Sequence, residues 1–158
     1  MLKAIWAMTK DGLVGKDNTI PWHIKEEFQH FRNTTLHQDV IMGKNTFLSL
    51  PKILDKRKMF VLSDDSSWKV EHENVFIIDS FTEVIKPYKN NPHKDLYVMG
   101  GIYVYEQMIP LCDELIVTII KGQYTGNRYL KNIDFTPFEV IKKVEHELFD
   151  VFYYQRKN

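Results

Sequence analysis

The sequence contains one cysteine, Cys112, among 158 residues. A single cysteine excludes an intramolecular disulfide and any zinc site with two or more thiolate ligands, which is typical of a reducing compartment. No apolar run approaches the ~20 residues that a membrane span needs. The apolar stretch at residues 1–8 is also too short for a signal-peptide core. We therefore expect a cytoplasmic protein without a membrane partner.

Neither sign of charge is in excess, since 21 Lys and Arg balance 21 Asp and Glu and the pI is near 7. Binding to a phosphate backbone usually needs a basic surplus, so nucleic acid is not an expected partner. The chain also has no repeat or linker, and 44% of its residues are hydrophobic. Its length and composition predict a single domain over residues 1–158, which we expect to be a monomer.

Several common catalytic motifs are missing. The sequence has no G-x-S-x-G elbow, no H-E-x-x-H helix and no C-x-x-C pair, and its six histidines are scattered. Cys112 precedes two acidic residues, whose charge raises a thiol pKa, so we interpret it as structural. These absences disfavour serine hydrolases, zinc proteases and dithiol oxidoreductases.

What is present is a series of β-branched and aromatic runs separated by helical patterns. Several runs are apolar without alternation, which is typical of parallel strands covered on both faces. Strands are predicted at 2–8, 40–42, 59–62, 75–78, 96–99, 115–120, 138–144 and 148–154, and helices at 24–35, 44–50, 80–87 and 102–109. The third helix is expected to begin at Ser80, and the last two strands to form a hairpin. The pattern predicts an α/β fold with a largely parallel sheet and an antiparallel C-terminal edge.

Two neighbouring carboxylates in the first predicted helix have different expected surroundings. An apolar stripe is defined by Ile24, Phe28 and Phe31. At 100° per residue, Glu27 lies roughly 65° from the centre of this stripe and Glu26 roughly 165° away. Glu26 should lie in water, whereas Glu27 borders the core beside Trp22, where loss of hydration raises its pKa. Glu27 is either a candidate acid or a boundary residue whose carboxylate reaches solvent.

Residues 9–20 form a long polar stretch punctuated by glycines, which predicts either a lid over a ligand or a passive surface connection. Gly100-Gly101 follows a predicted strand and opens a helix, and Gly43 ends another strand in the same way. Bare backbone at two such junctions suits the phosphates of a dinucleotide, although each alone is also typical of a tight turn. Neither junction has a Rossmann or P-loop spacing.

Three polar residues near these junctions can contribute to binding. Lys44 can meet an additional phosphate, Ser63 can add a hydroxyl donor, and Arg57 can clamp a carboxylate through its planar guanidinium. On local sequence alone, a solvated surface position is the ordinary alternative for Lys44 and Arg57.

A larger set of short motifs runs in one register from residue 2 to about residue 118. The set comprises Ile5-Trp6-Ala7, Gly15-Lys16-Asp17-Asn18, Pro21-Trp22-His23, Glu27, Phe31, residues 41–46, Leu54, Arg57, Met99-Gly100-Gly101, Tyr105-Glu106 and Thr118. Together these residues closely resemble the bacterial dihydrofolate reductases. The resemblance implies a central eight-stranded, mostly parallel sheet flanked by about four helices. It also implies reduction of 7,8-dihydrofolate to tetrahydrofolate by NADPH, supplying one-carbon metabolism and thymidylate synthesis.

The same resemblance assigns roles to individual residues. It implies that Glu27 hydrogen-bonds the pterin ring and assists protonation, that Trp22 and Thr118 hold an associated water, and that Ile20 gates the lid. The implied substrate-binding residues are Ile5, Ala7, Ile20, Phe28, Phe31, Ser49, Leu50, Leu54, Arg57 and Met99, with Arg57 on the glutamate carboxylate. The implied cofactor-binding residues are Ala7, Val14, Gly43, Lys44, Thr46, Ser63, Gly100, Gly101 and Tyr105.

The chain also departs from the family pattern. Gly126-Asn127-Arg128 stands where the family usually has Gly-Asp-Thr, so a carboxylate that can pair with the lid is missing. Asp64 and Asp65 place negative charge near the expected 2′-phosphate of the cofactor. A flexible loop can turn both carboxylates into water, where screening weakens their repulsion, so we expect Lys44 to dominate and NADPH to be preferred over NADH.

Two other functions remain compatible with the sequence. One is a reductase of the same fold that acts on a ribosylamino-pyrimidine, and the other is a non-catalytic nucleotide- or folate-binding module. Glu27 together with Trp22 and Arg57 favours a pterin that carries a glutamate tail.

Overall fold

The computed structural model of the chain describes residues 1–17, 19–50, 52–54 and 56–158. Asn18 of the expected lid, Pro51, and Asp55 of the loop before Arg57 lie outside the described residues. The strands are β1 Leu2–Thr9, β2 Leu13–Gly15, β3 Asp39–Gly43, β4 Lys58–Leu62, β5 Val75–Ile78, β6 Leu96–Val98, β7 Glu114–Ile120, β8 Arg128–Tyr129, β9 Phe138–Glu145 and β10 Phe149–Arg156. The helices are α1 Lys25–Thr35, α2 Lys44–Ser49, α3 Thr82–Ile85 and α4 Ile102–Met108, followed by a 3₁₀ turn at Ile109–Leu111.

Eight of the strands form one sheet in the order β5-β4-β3-β6-β1-β7-β10-β9. The strands from β5 to β7 run parallel, whereas β10 is antiparallel to both β7 and β9. In the β9–β10 hairpin, His146 N donates to Phe149 O at 2.9 Å. The predicted α/β fold with its antiparallel C-terminal edge is confirmed.

Alternation along β1 divides the core into two layers. Ile5 packs in the same buried cluster as Trp22 and Ile24 on one face of the sheet. Trp6 packs on the other face, in a cluster that includes Val104 and Tyr105 of α4. Because side chains alternate along a strand, β1 contributes to both layers and fixes α1 and α4 on opposite faces of the sheet.

Two predictions about secondary structure were wrong in detail. The helix expected at 80–87 is shortened to α3, with Phe81 at its N-cap position. The Ser80 hydroxyl accepts from Thr82 N at 3.3 Å and donates to Thr82 Oγ1 at 3.2 Å, but it is not the N-cap residue. The stretch at 9–20, expected as a loop, contains β2, which pairs with β8 in a separate two-stranded sheet. Three residues without alternation are too short a signal to predict a strand. No helix in the described ranges is long and apolar enough to cross a bilayer.

Candidate active site

The candidate site lies where parallel strands end together. The chain passes from β3 into α2 at Gly43 and from β6 into α4 through Gly100-Gly101. Gly43 N donates to Gly100 O at 2.8 Å, so these two junctions are joined directly. Ligands of open α/β sheets bind in the crevice at the carboxyl ends of the strands, which is this edge.

Glu27 lies on the buried side of α1, with only 7% of its surface exposed, whereas Glu26 is exposed. The predicted contrast between the two carboxylates is therefore confirmed. Burial raises the pKa of Glu27 from its ordinary value of 4.5 to about 7. Among the described residues, no side chain forms a hydrogen bond or ion pair with this carboxylate. A carboxyl group with these surroundings can hold a proton near neutral pH.

The apolar stripe predicted for α1 is only partly correct. Ile24 is buried and Phe31 packs against the core, but Phe28 is 40% exposed. Thr35, one turn after Phe31, is also fully buried, which turns the core-facing side of the helix toward Glu27 and away from Phe28. Phe28 instead borders an open cavity of about 410 Å³ on the outer side of α1. That cavity is lined by His23, Lys25, Phe28, Gln29 and Arg32.

Trp22 and Thr118 place two polar groups in the layer that contains Glu27. Trp22 is 2% exposed, and its Nε1 is buried with no acceptor among the described residues. Its ring packs edge-on against Tyr124, with 5.7 Å between centroids. Thr118 is buried in β7, in register with Ala7 of β1. A buried indole N–H without a protein acceptor can donate to a bound molecule.

The side of the cleft beyond Glu27 is formed by apolar side chains and one buried arginine. Ile5 and Met99 are buried in the cluster of Trp22, and Leu50 and Leu54 pack against it. Arg57 is 3% exposed; its Nε donates to Thr35 Oγ1 at 3.1 Å. Arg57 is thus fixed at the C-terminal end of α1 and is not a solvated loop residue.

Three of the predicted site residues are not enclosed. Ile20 is 49% exposed, and Ser49 is exposed, its hydroxyl donating to Thr46 O at 2.7 Å. Phe28 is the third. These residues lie on the lid and on the outer parts of α1 and α2.

The segment predicted as a lid is held by the residues that precede β8. Asp17 N donates to Asn127 Oδ1 at 2.7 Å, and Asn127 Nδ2 donates to Asp17 Oδ1 at 2.9 Å. Asn127 N also donates to Gly15 O at 3.2 Å. The sequence indicated that a partner for the lid was missing here. The amide of Asn127 takes that place because it can donate and accept at once.

The predicted cofactor side of the cleft is built around the two glycine junctions. A Cβ atom added to Gly101 would lie 3.2 Å from Thr46 Oγ1, and one added to Gly43 would lie 3.3 Å from Val104 Cγ2. The hydroxyl of Tyr105 donates to Ile5 O at 2.8 Å, which joins α4 to β1. Neither α2 nor α4 has a side-chain cap, so backbone N–H groups at their starts can meet an anionic ligand.

The remaining predicted cofactor residues surround this edge. Ser63 follows β4 and is buried, Val14 is half-buried in β2, and Lys44 begins α2. A cation, hydroxyl groups and bare glycine backbone are the groups that bind the phosphates of a dinucleotide. These residues therefore fit such a cofactor.

Sequence reasoning missed several residues that support the site. Thr35 orients Arg57, and Tyr124 packs on Trp22. Neither has a local sequence signal, because each meets its partner only through the tertiary fold. The only sequence signal for Asn127 is its departure from the family pattern.

An α/β fold with a cleft at its strand ends, a buried acid and bare glycine backbone that can meet phosphates is typical of a reductase that uses a dinucleotide. The family model for dihydrofolate reductase matches residues 1–155 of this chain. The chain is 48% identical to the dihydrofolate reductase of Mycoplasma pneumoniae, across 99% of this chain and 98% of that protein. It is also 48% identical to that of Mycoplasma genitalium, across 99% of both.

A solved structure agrees with this result. Dihydrofolate reductase from Enterococcus faecalis, complexed with NADP(H) and RAB-propyl, superposes with a TM-score of 0.88 at 27% identity. The match covers 100% of this chain and 97% of that one. The chain belongs to the dihydrofolate reductase family, whose enzymes reduce dihydrofolate with NADPH.

Proposed function

We propose that this chain reduces 7,8-dihydrofolate to tetrahydrofolate with NADPH, and that Glu27 assists protonation of the substrate. The observation that carries the proposal is a buried carboxyl group with a pKa of about 7 in the cleft of a dihydrofolate reductase fold. Hydride transfer to the carbon of a C=N bond is helped when the neighbouring nitrogen is protonated. NADPH supplies the hydride when it is bound.

Glu27 has the properties that proton delivery requires. Its pKa near neutrality keeps part of the population protonated at pH 7, and the absence of a salt bridge among the described residues leaves that proton available. Trp22 Nε1 and the Thr118 hydroxyl lie in the same layer of the fold and can hold a water molecule beside the pterin ring. Glu27 then hydrogen-bonds the ring and passes its proton through that water.

Arg57 is assigned to the tail of the substrate. Its guanidinium is oriented by Thr35 and by the carbonyl of Arg32, which accepts from Nη2 at 3.4 Å. An oriented guanidinium binds a carboxylate with little further loss of side-chain entropy. Leu50 and Leu54 supply the apolar wall for the aminobenzoyl part between the pterin and this arginine.

The lid excludes bulk water from the reaction. Val14 and Ile20 belong to the segment that the Asp17–Asn127 pair fastens to β8. Removal of bulk water strengthens the electrostatic effect of Glu27 and protects the transferred proton from exchange.

We further propose that residues 1–158 act as one monomeric domain in the cytoplasm, with no nucleic acid partner, and supply tetrahydrofolate for one-carbon metabolism. The balanced charge and the single large sheet, to which strands from both ends of the chain contribute, support this proposal.

The test is a spectrophotometric assay with purified protein. NADPH absorbance should fall only when dihydrofolate is added, and tetrahydrofolate should form in equal amount. A ribosylamino-pyrimidine should not replace dihydrofolate. Binding of both ligands without turnover would contradict the proposal and favour a non-catalytic binding module.

A further inference from the structure

The ammonium group of Lys44 lies between a carboxylate and an indole ring. Lys44 Nζ is 3.6 Å from Asp65 Oδ2 and 4.8 Å from the centroid of the Trp68 ring. Trp68 is in turn packed edge-on against Phe47 of α2, with 5.8 Å between centroids. The cation expected to meet a 2′-phosphate is therefore already paired within the protein.

The carboxylate of Asp65 is held in place by its own turn. Asp65 Oδ1 accepts from Ser67 N at 3.0 Å and from Ser67 Oγ at 2.6 Å, and Asp65 N donates to Ser63 Oγ at 3.1 Å. The bonds from Ser67, with a smaller effect of Lys44, lower the pKa of the Asp65 carboxyl. The Asp65 side chain is 46% exposed and so does reach water, but its turn holds the carboxylate beside Lys44 and not away from it.

Asp64 differs from its neighbour. Like Asp65 it is exposed, but in the part of the chain that the structure describes its side chain forms no ion pair. Asp64 and Asp65 have the same formal charge, but only Asp65 is paired with Lys44 among the described residues. Asp64 is therefore a matched control.

Lys44 and Asp65 favour different cofactors. A cation attracts the 2′-phosphate of NADPH, whereas an acidic residue accepts from the ribose 2′-hydroxyl of NADH and repels a phosphate. We propose that Asp65 limits the preference of this enzyme for NADPH by holding Lys44 in an ion pair, so that NADH is also a usable cofactor. This inference rests on the proposed function, because it takes the cofactor to bind at the start of α2.

The test measures nucleotide binding to the full chain by calorimetry, without dihydrofolate. The probes are 2′,5′-ADP, which carries the 2′-phosphate, and 5′-AMP, which lacks it. Asp65→Asn keeps an oxygen that can accept from Ser67, so the turn is preserved. We expect this variant to bind 2′,5′-ADP about fivefold more tightly at low salt, while 5′-AMP binding stays within about twofold. Asp64→Asn should change the affinity for either nucleotide by less than about twofold.

A double variant shows whether Asp65 acts through Lys44. Lys44→Met should weaken 2′,5′-ADP binding, and adding Asp65→Asn to it should restore little, because no ammonium remains to be released. An equal gain from Asp64→Asn, a gain that persists in the Lys44→Met background, or a loss of affinity in Asp65→Asn would each overturn the inference.

Steady-state kinetics provides the second readout. The ratio of kcat/KM for NADPH over NADH should rise about fivefold in Asp65→Asn, by the same release of Lys44. Failure of the enzyme to reduce dihydrofolate would defeat the proposed function but leave the nucleotide-binding results interpretable. No discrimination between 2′,5′-ADP and 5′-AMP by any variant would defeat this inference alone.

Discussion

The Glu27→Gln variant tests two claims about this carboxyl group: that burial raises its pKa, and that it assists protonation of the substrate. A pKa raised from 4.5 to about 7 means that the ionised form is disfavoured in the folded state by about 3 kcal/mol. The folded chain binds this proton more tightly than the unfolded chain does. Its contribution to stability is therefore complete below pH 4.5 and is lost as the pH rises through about 7. Glutamine is neutral and has no such dependence.

The expected result is a stability difference that grows with pH. Glu27→Gln should gain about 2 kcal/mol more over the unmodified protein at about pH 8 than at about pH 5, as measured by urea unfolding. Glu26→Gln is the matched control, because it removes a carboxylate from the exposed side of the same turn. It should shift stability by no more than about 0.5 kcal/mol at either pH.

The same variant should lose activity at neutral pH while it still binds NADPH. The rate with dihydrofolate should recover partly in acid, where the substrate takes its proton from solvent. The unmodified enzyme should lose rate as the pH rises above about 7, where Glu27 ionises. Identical pH profiles of activity in the two proteins would refute the assignment of Glu27. An identical pH dependence of stability would refute the argument from burial.

Three further changes test other parts of the site. Arg57→Leu should raise KM for dihydrofolate far more than it changes kcat, because the pair binds the ground and transition states alike; an equal effect on a pterin without the glutamate would contradict this. Asn127→Ala removes both side-chain bonds to Asp17 and should cost about 1 kcal/mol in unfolding experiments, with faster hydrogen exchange at the lid amides. Gly126→Ala places a Cβ 2.5 Å from Gly15 O and should lower stability by about 1–3 kcal/mol; an unchanged melting temperature would show that the two-stranded sheet adjusts freely.

The parallel sheet could be predicted because each of its strands has a strong local signal. Continuous apolar runs such as β3 and β7 are buried along their length, so composition and position alone indicate their environment. The helical positions of Glu27 and Glu26 relative to the apolar residues were sufficient to predict that the first is buried and the second exposed. This criterion failed for Phe28, because the rotation of a helix against a sheet is set by all of its contacts and not by its most apolar residues.

Other parts of the site depend on contacts between distant segments, which a single sequence does not encode locally. Arg57 is buried, and the acceptor of its Nε is Thr35, 22 residues earlier in the chain. The pairing of Lys44 with Asp65, rather than with Asp64, depends on the turn that Ser67 stabilises. Residue types predicted which groups meet at the strand ends, while hydrogen bonds outside the strands decide which of them are available to a ligand.

The pair that holds the lid shows why the motif at 126–128 departs from the family pattern. The lid itself carries a carboxylate at Asp17, so a second carboxylate at position 127 would face it at hydrogen-bond distance and repel it. Asn127 removes that repulsion and donates to Asp17 Oδ1 while accepting from Asp17 N. The two bonds form because Asp17 supplies a backbone donor and a carboxylate acceptor, and the amide of Asn127 supplies one acceptor and one donor. The substitution thus preserves the attachment of the lid, and because the amide does not titrate, protonation at position 127 cannot release it.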